Sequence, residues 1–331
     1  MKFEKKNNQY NRNGHSQLRH EFKVYKEIHS KGKVKGFPYI YNFGASRQGN
    51  LLILDLLGPS LNILLDACNG KFTLKQTIYI CDQTLQRLET LHNHNLIHRD
   101  VKPDNFAIGL TDNQIYCIDL GLTQSYCDRL TKNHKPYVDT KSLVGTPRYA
   151  SINVHKGITY GRRDDLQSLA YTLIYLIKGS LPWQGIDITD KKEKYKKILE
   201  KKESISSDEL CEGLPKEFSI FLQYTKDLKF DEKPNYSYLR GLFHSMYTDF
   251  NYHLTKIQWD WNIKPSIVVN EKTSPEVTYD QSPISNDFED NYYILNNNKR
   301  KSSNDEDDDD DNNDILSKIT TKKVKFVDVN A

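Results

Sequence analysis

The sequence predicts an α+β fold in two lobes: a small, incomplete β lobe, a mainly helical large lobe and a disordered polar tail. Three observations carry this expectation. Strand-like apolar runs cluster before residue 58, helical apolar spacing dominates from about 60 to 250, and composition changes near residue 264. The 331 residues leave room for one large domain or two small ones.

Residues 1–6 read as the end of a strand. SQLRHEFKVYKEIH (16–29) repeats Leu18, Phe22, Tyr25 and Ile28 at helical spacing, and Gly32 and Gly36-Phe37-Pro38 then break the chain. YIYNFGA (39–45) and NLLILDLL (50–57) read as two strands joined by a turn at 47–50. Gly58-Pro59-Ser60 ends the second, with Ser60 as a cap for the helix LNILLDAC. A long helical pattern over 73–93 places Leu74, Ile78, Ile80, Cys81, Leu85, Leu88 and Leu91 on one face. Two short segments with turns follow, 96–109 and 114–121, then a long polar loop at 123–142. Helices resume at 164–178 and recur to about 250, without an internal repeat.

Only 37% of residues are hydrophobic and 27% are charged, which leaves part of the chain without a core to pack into. That part is 264–331, a tail of Asn, Asp, Ser and Lys whose burial could not offset its ordering entropy. The folded domain is therefore expected at 1–263, with a small lobe at 1–57 and a large lobe at 58–263. A net charge of +3 is too small to argue for a nucleic-acid or membrane partner. The five cysteines (Cys68, Cys81, Cys117, Cys127 and Cys211) are odd in number and lack a C-x-x-C spacing, which excludes a disulfide framework and fits a reducing compartment. The first residues hold no apolar signal core, and the apolar run 166–177 is interrupted by Gln167 and Ser168. It falls short of the roughly 20 residues that span a bilayer and reads as a buried helix. A soluble protein of the cytoplasm, the nucleus or both is expected.

The chemistry concentrates in His98-Arg99-Asp100-Val101-Lys102-Pro103-Asp104-Asn105, followed 19 residues after Asp100 by Asp119-Leu120-Gly121. The pairing of H-R-D-x-K-x-x-N with D-x-G is a protein-kinase signature. Phosphoryl transfer needs positioning and charge neutralisation more than covalent help, and these residue types supply both. Asp100 would face the incoming hydroxyl and Lys102 the transferring phosphate. Asn105 and Asp119, as hard oxygen donors, would hold Mg2+ against the phosphates of ATP. Any one of these residues alone would be an ordinary polar loop residue; the whole pattern is not. A metal cluster of His92, His94 and His98 is disfavoured, since no carboxylate or cysteine stands at ligand spacing.

From about 50 to 263 the chain resembles the casein kinase 1 family of serine/threonine kinases. The resemblance rests on LLGPSL (56–61), HRDVKPDNF (98–106), GTPRYASIN (145–153), GRRDDLQSL (161–169), GSLPWQG (179–185) and KPNYSYLR (233–240). Ser151-Ile152-Asn153, where most kinases carry A-P-E, is its most specific piece. The resemblance implies a two-lobed kinase fold that binds ATP and Mg2+. Leu57 would lie in the hinge that receives adenine, with Asp55 beside it and Leu54 as gatekeeper. Asp165 would anchor the catalytic loop, and Thr146 would touch the catalytic aspartate. It also implies acidic or phosphorylated protein substrates, read by an anion site matching Arg162, Gly185 and Lys194. Without the resemblance, Arg162 reads as a surface ion pair with Asp164 or Asp165, and Lys194 as a solvated helix face.

The start departs from the family. No G-x-G-x-x-G loop precedes the helix at 16–29, and the first glycine is Gly14. Lys2 matches the family's third-strand lysine, and Glu21, 19 residues on, matches its glutamate partner. The extra polar residues NNQYNRNGH would form a loop between them. The chain therefore reads as beginning in the middle of that strand, most simply as an incomplete chain; the bland alternative makes Lys2 a frayed terminal lysine. Leu120 replaces a family Phe, and Gln167 and Ala170 replace Glu and Gly. An active kinase and a non-catalytic kinase-like binding module are the two functional expectations. In the tail, Lys299-Arg300-Lys301 reads as a charge cluster. The acidic run 305–311 invites an intramolecular contact with a basic substrate groove.

Overall fold

The computed structural model describes residues 1–5, 16–45, 48–128, 130–139 and 142–249. The expected polar loop at 7–15, the tail at 264–331 and its basic and acidic runs lie outside the described residues.

Strand β1 (Lys2–Lys5) is followed by helix α1 (Gln17–Ile28) and strands β2 (Ile40–Ala45) and β3 (Gly49–Leu54). The sheet order is β1-β3-β2, antiparallel throughout, with Lys2 opposite Leu52. Ser16 caps α1 by accepting from the Arg19 amide at 3.0 Å. The apolar face of α1 is Leu18, Val24, Tyr25 and Ile28; Phe22 lies half-buried, stacked on Phe43 with centroids 4.8 Å apart. β3 ends at Leu54, three residues short of the expectation. Beyond it Asp55 turns its carboxylate back to the Tyr39 amide (2.9 Å) and the Tyr41 hydroxyl (2.7 Å).

The large lobe opens with α2 (Leu61–Ala67), capped by Ser60, and α3 (Leu74–Asn93), which begins with a Thr73–Gln76 capping box. Short strands follow: β4 (Leu96–Ile97), β5 (Phe106–Ile108), β6 (Ile115–Cys117) and β7 (Gln124–Ser125), paired β4 with β7 and β5 with β6. β7 lies at the head of the segment expected to be loop throughout. Helices α4 (Ile152–His155), α5 (Arg162–Lys178), α6 (Lys191–Ser204), α7 (Ser207–Leu210), α8 (Lys216–Asp227) and α9 (Tyr236–Asp249) complete the described residues. α5 is buried along almost its whole length and packs on α3 and α8, while α9 covers α3. Leu85, Leu88, Leu166, Leu169, Leu173, Phe221 and Phe243 join one continuous core that also takes in α1. The 12 buried residues of α5 make it the interior axis on which the loops of the site hang. No helix of the described residues is long and apolar enough to cross a membrane.

Candidate active site

The loop between β4 and β5 carries His98 to Asn105. Its shape is imposed by Asp165, in the first turn of α5. One carboxylate oxygen accepts the His98 amide at 2.7 Å and the other the Arg99 amide at 2.9 Å. Oδ2 also receives His92 Nε2 at 2.9 Å. Burial alone raises this carboxyl, but its donors, His92 first, outweigh burial and hold it below its ordinary range. Arg99 is thereby held at φ 72°, the left-handed region that a side chain rarely adopts. His92 turns its other ring nitrogen to the Tyr236 hydroxyl and His94 bonds the Thr90 carbonyl, so these histidines are occupied within the fold. Among the described residues no group of three or more metal-binding side chains occurs.

Asp100 is 9% exposed and both its oxygens are engaged. Oδ1 accepts the Thr146 amide and hydroxyl, each at 2.8 Å. Oδ2 meets Lys102 Nζ at 2.8 Å and Asn105 Nδ2 at 3.2 Å. Lys102 Nζ also reaches the Thr146 hydroxyl at 3.2 Å. Burial pushes the Asp100 carboxyl up; the Lys102 ammonium and the Thr146 hydroxyl outweigh it and hold the group below its ordinary range. Asp100 is therefore ionised at neutral pH, with its rotamer fixed by two loops.

Asp119 caps the turn Leu120–Leu122 with φ 57°, and its half-buried carboxylate accepts no hydrogen bond from the described residues. Asn105 spends its amide N–H groups on the Asp100 carbonyl (2.8 Å) and carboxylate. Its side-chain oxygen is left over, and its backbone carbonyl accepts the amide of Ile118, the residue before Asp119, at 2.9 Å. Hard oxygens such as this side-chain oxygen and the Asp119 carboxylate suit a magnesium ion completed by phosphates and water.

Across from Asp119, Lys2 Nζ donates to Glu21 Oε1 at 2.7 Å, with Glu21 only 3% exposed. Glu21 also accepts the Leu120 amide, which ties the pair to the Asp119 turn. Burial raises the Glu21 carboxyl; Lys2 offsets this only in part, and the Asp119 charge adds to the rise. His20 bonds the Thr123 carbonyl at 2.6 Å, a second tie between α1 and the same segment. Lys2 is thus a structured residue, opposite Leu52 in the sheet.

A protein kinase domain model matches residues 1–244 of the chain. The chain belongs to the protein kinase family. Membership implies the use of ATP and a divalent metal, and Asp119 and Asn105 offer the donor set to hold the metal.

Leu54 closes β3 half-buried, and Leu57 follows in the connection to the large lobe. The Gly58 amide donates to the Ile108 carbonyl at 2.8 Å, and the Ile108 amide to the Pro59 carbonyl at 3.1 Å. Leu57, just before these anchors, makes no hydrogen bond to the described residues. The Asp55 side chain points elsewhere: Tyr39, Tyr41 and, at 3.4 Å, Lys33 occupy it.

Arg162 does not join Gly185 and Lys194. It opens α5, its guanidinium 4.5 Å above the Tyr126 ring and bonded to the Tyr126 hydroxyl at 3.2 Å and the Asp231 carbonyl at 2.6 Å. Nor does it pair with Asp164 or Asp165. The segment carrying Gly185 follows the other end of α5, and Trp183 Nε1 there donates to the Arg148 carbonyl at 2.7 Å. Arg148, joined to that segment through this bond, stands over the Tyr149 and Tyr175 rings and within electrostatic reach of Asp104. Sequence reading passed over Arg148 although it stands inside GTPRYASIN. It also missed Glu4, whose carboxylate accepts the Gln17 amide (2.9 Å) and Leu18 amide (3.2 Å) and so caps α1 from β1. Glu4 lies two residues past Lys2 on the same strand face, an alternation that could have revealed it.

Proposed function

We propose that this kinase transfers the γ-phosphoryl group of ATP to serine or threonine hydroxyls of acidic or already phosphorylated proteins, as casein kinase 1 enzymes do. The observation that carries the reading is the Asp100 cluster. An ionised carboxylate, fixed by Thr146 and flanked by Lys102, faces the loop at 146–150, on which we place the acceptor peptide.

In the step we propose, the acceptor hydroxyl oxygen forms a bond to the γ-phosphorus. The bond from that phosphorus to the bridging oxygen breaks, and ADP leaves. The hydroxyl proton passes to the Asp100 carboxylate. Lys102 offsets the charge gathering on the transferring oxygens, and the Thr146 bonds keep Asp100 from swinging away. Bound Mg2+ would supply charge neutralisation at the phosphates from Asp119 and Asn105. Lys2, oriented by Glu21, supplies a further cation. Leu57 would take the adenine edge beside Leu54.

For the substrate preference we propose Arg148 in place of Arg162, together with Gly185 and Lys194. A guanidinium on the peptide-facing loop and an ammonium on α6 suit a phosphate or carboxylate. Gly185, at φ 72°, has open space where a side chain would stand, so backbone is accessible there.

The test is transfer of labelled phosphate from Mg-ATP to casein by the chain, with Asp119→Ala as control. Signal above the control supports the reading. Equal signal from both would reject catalysis and leave a non-catalytic binding role.

A further inference from the structure

Lys202 is the most deeply buried cation of the large lobe's described residues, and the proposed chemistry leaves it unused. It lies in the last turn of α6, 2% exposed. Its ammonium sits 4.9 Å from the centroid of Tyr171 and 5.0 Å from that of Trp183, two rings packed edge to face. An ammonium has three N–H donors. Two carbonyls accept from this one, that of Pro147 at 2.9 Å and that of Ala150 at 2.6 Å, and His155 Nε2 lies 3.2 Å from it and 3.1 Å from the Pro147 carbonyl.

No carboxylate is among these partners. Burial drives the ammonium well below its ordinary range, and burial together with Lys202 drives His155 down to about 3, so the imidazole stays neutral. A charge sunk in a core without an anion is costly, and an apolar residue would fill the same space more cheaply. What the ammonium alone provides is convergence. It draws two carbonyls of one short loop, Pro147 and Ala150, onto a single point. Trp183 Nε1 draws the carbonyl between them, that of Arg148, to the same wall at 2.7 Å. The front of that loop is Thr146, whose amide and hydroxyl hold Asp100. The loop is therefore pinned behind by Lys202 and Trp183 and meets the catalytic aspartate in front.

We propose that Lys202 is a positioning residue for the acceptor substrate. By fastening the Pro147 and Ala150 carbonyls, it sets the register of the 146–150 loop on which the peptide docks and from which Thr146 orients Asp100. It touches neither nucleotide nor acceptor. The inference rests on the kinase reading above for its kinetic consequence, and on the geometry alone for its structural one.

The experiment compares the full chain with Lys202→Met, Lys202→Arg and Trp183→Phe, using an acidic serine peptide and Mg-ATP. Lys202→Met keeps the stem and removes every donor. It should lower kcat/KM for the peptide by about tenfold or more, a size typical of a displaced positioning group, while KM for ATP moves less than about twofold. Lys202→Arg, which retains donors for both carbonyls, should recover part of the loss. Trp183→Phe should show the same peptide-selective loss in milder form. A purely structural lysine would instead lower all parameters together, in proportion to the folded fraction; that result, or unchanged peptide kinetics, overturns the proposal. Should Lys202→Met fail to fold, Trp183→Phe and Lys202→Arg decide it: wild-type peptide kinetics in both would overturn it. If the unaltered chain transfers no phosphate, the kinase reading alone fails. The proposal is then decided by amide exchange at residues 148–150, which should quicken in Lys202→Met or Trp183→Phe and, if unchanged in both, reject it.

Discussion

Lys2 Nζ donates to Glu21 Oε1 at 2.7 Å, bridging an edge strand of the small sheet and the second turn of α1. Glu21→Gln keeps the shape and removes the charge that aims the ammonium. KM for ATP should rise by about tenfold, with a smaller change in KM for the acceptor peptide, measured by steady-state kinetics. An unchanged KM for ATP would show that Lys2 does not serve the nucleotide.

Thr146→Val deletes the hydroxyl bond to Asp100 Oδ1 and leaves the amide bond in place. The hydroxyl is one of the donors that hold the Asp100 carboxyl low. Its pKa should therefore rise, and the acid limb of the kcat/KM profile should move to higher pH. Turnover should fall by about tenfold, the scale of losing one hydrogen bond to a charged group. A pH profile superimposable on that of the unaltered chain would refute this.

Asp164 is buried, accepting the Ser151 hydroxyl at 2.6 Å and the Gly161 amide at 2.7 Å. Burial outweighs these bonds and raises its carboxyl from 3.8 to about 6. Protonation thus favours the folded state: the group's contribution is fully present below pH 3.8 and is lost as pH climbs through 6. Denaturant melts of the chain and of Asp164→Asn should show their stability difference falling, against the native chain, by on the order of 3 kcal/mol between pH 4 and 7. Parallel pH dependence would show that the carboxyl titrates normally.

Gly145 has φ 88°, and a Cβ there would stand 2.4 Å from the Arg99 carbonyl. Gly145→Ala should destabilise the fold by about 2 kcal/mol or more in chemical denaturation. It should also depress kcat, because Thr146 is the next residue. Normal stability and turnover would mean the two loops can part without cost.

Much of the site was legible because it is local in sequence. Asp100, Lys102 and Asn105 span six residues, Ser60 caps the helix that follows it, and α1 and α3 show their apolar spacing. Contacts across long separations were not. Arg162 looks like a free fork at a helix start, and nothing near it in sequence announces Tyr126, 36 residues earlier, or Asp231, 69 residues later. Asp55, in the connection after β3, turns its carboxylate to Tyr39 and Tyr41, 16 and 14 residues earlier, which its own neighbours in sequence do not announce. Lys202 hides in KKEKYKKILEKK, where lysine abundance suggests a solvated face. A signal existed: Tyr195, Ile198 and Lys202 fall on one helical stripe, and Ile198 and Lys202 are its buried members. Gln167, for which the sequence offered no role, accepts the Ile152 amide at 2.8 Å and fixes the start of α4.

Asp165 never approaches the reacting atoms, yet its two oxygens dictate two consecutive peptide planes of the loop that does. A mutational scan scored by activity should therefore rank position 165 with Asp100 itself, far above its neighbours in the core. The tolerance of this enzyme to sequence drift is governed as much by one interior helix turn as by the cleft it serves.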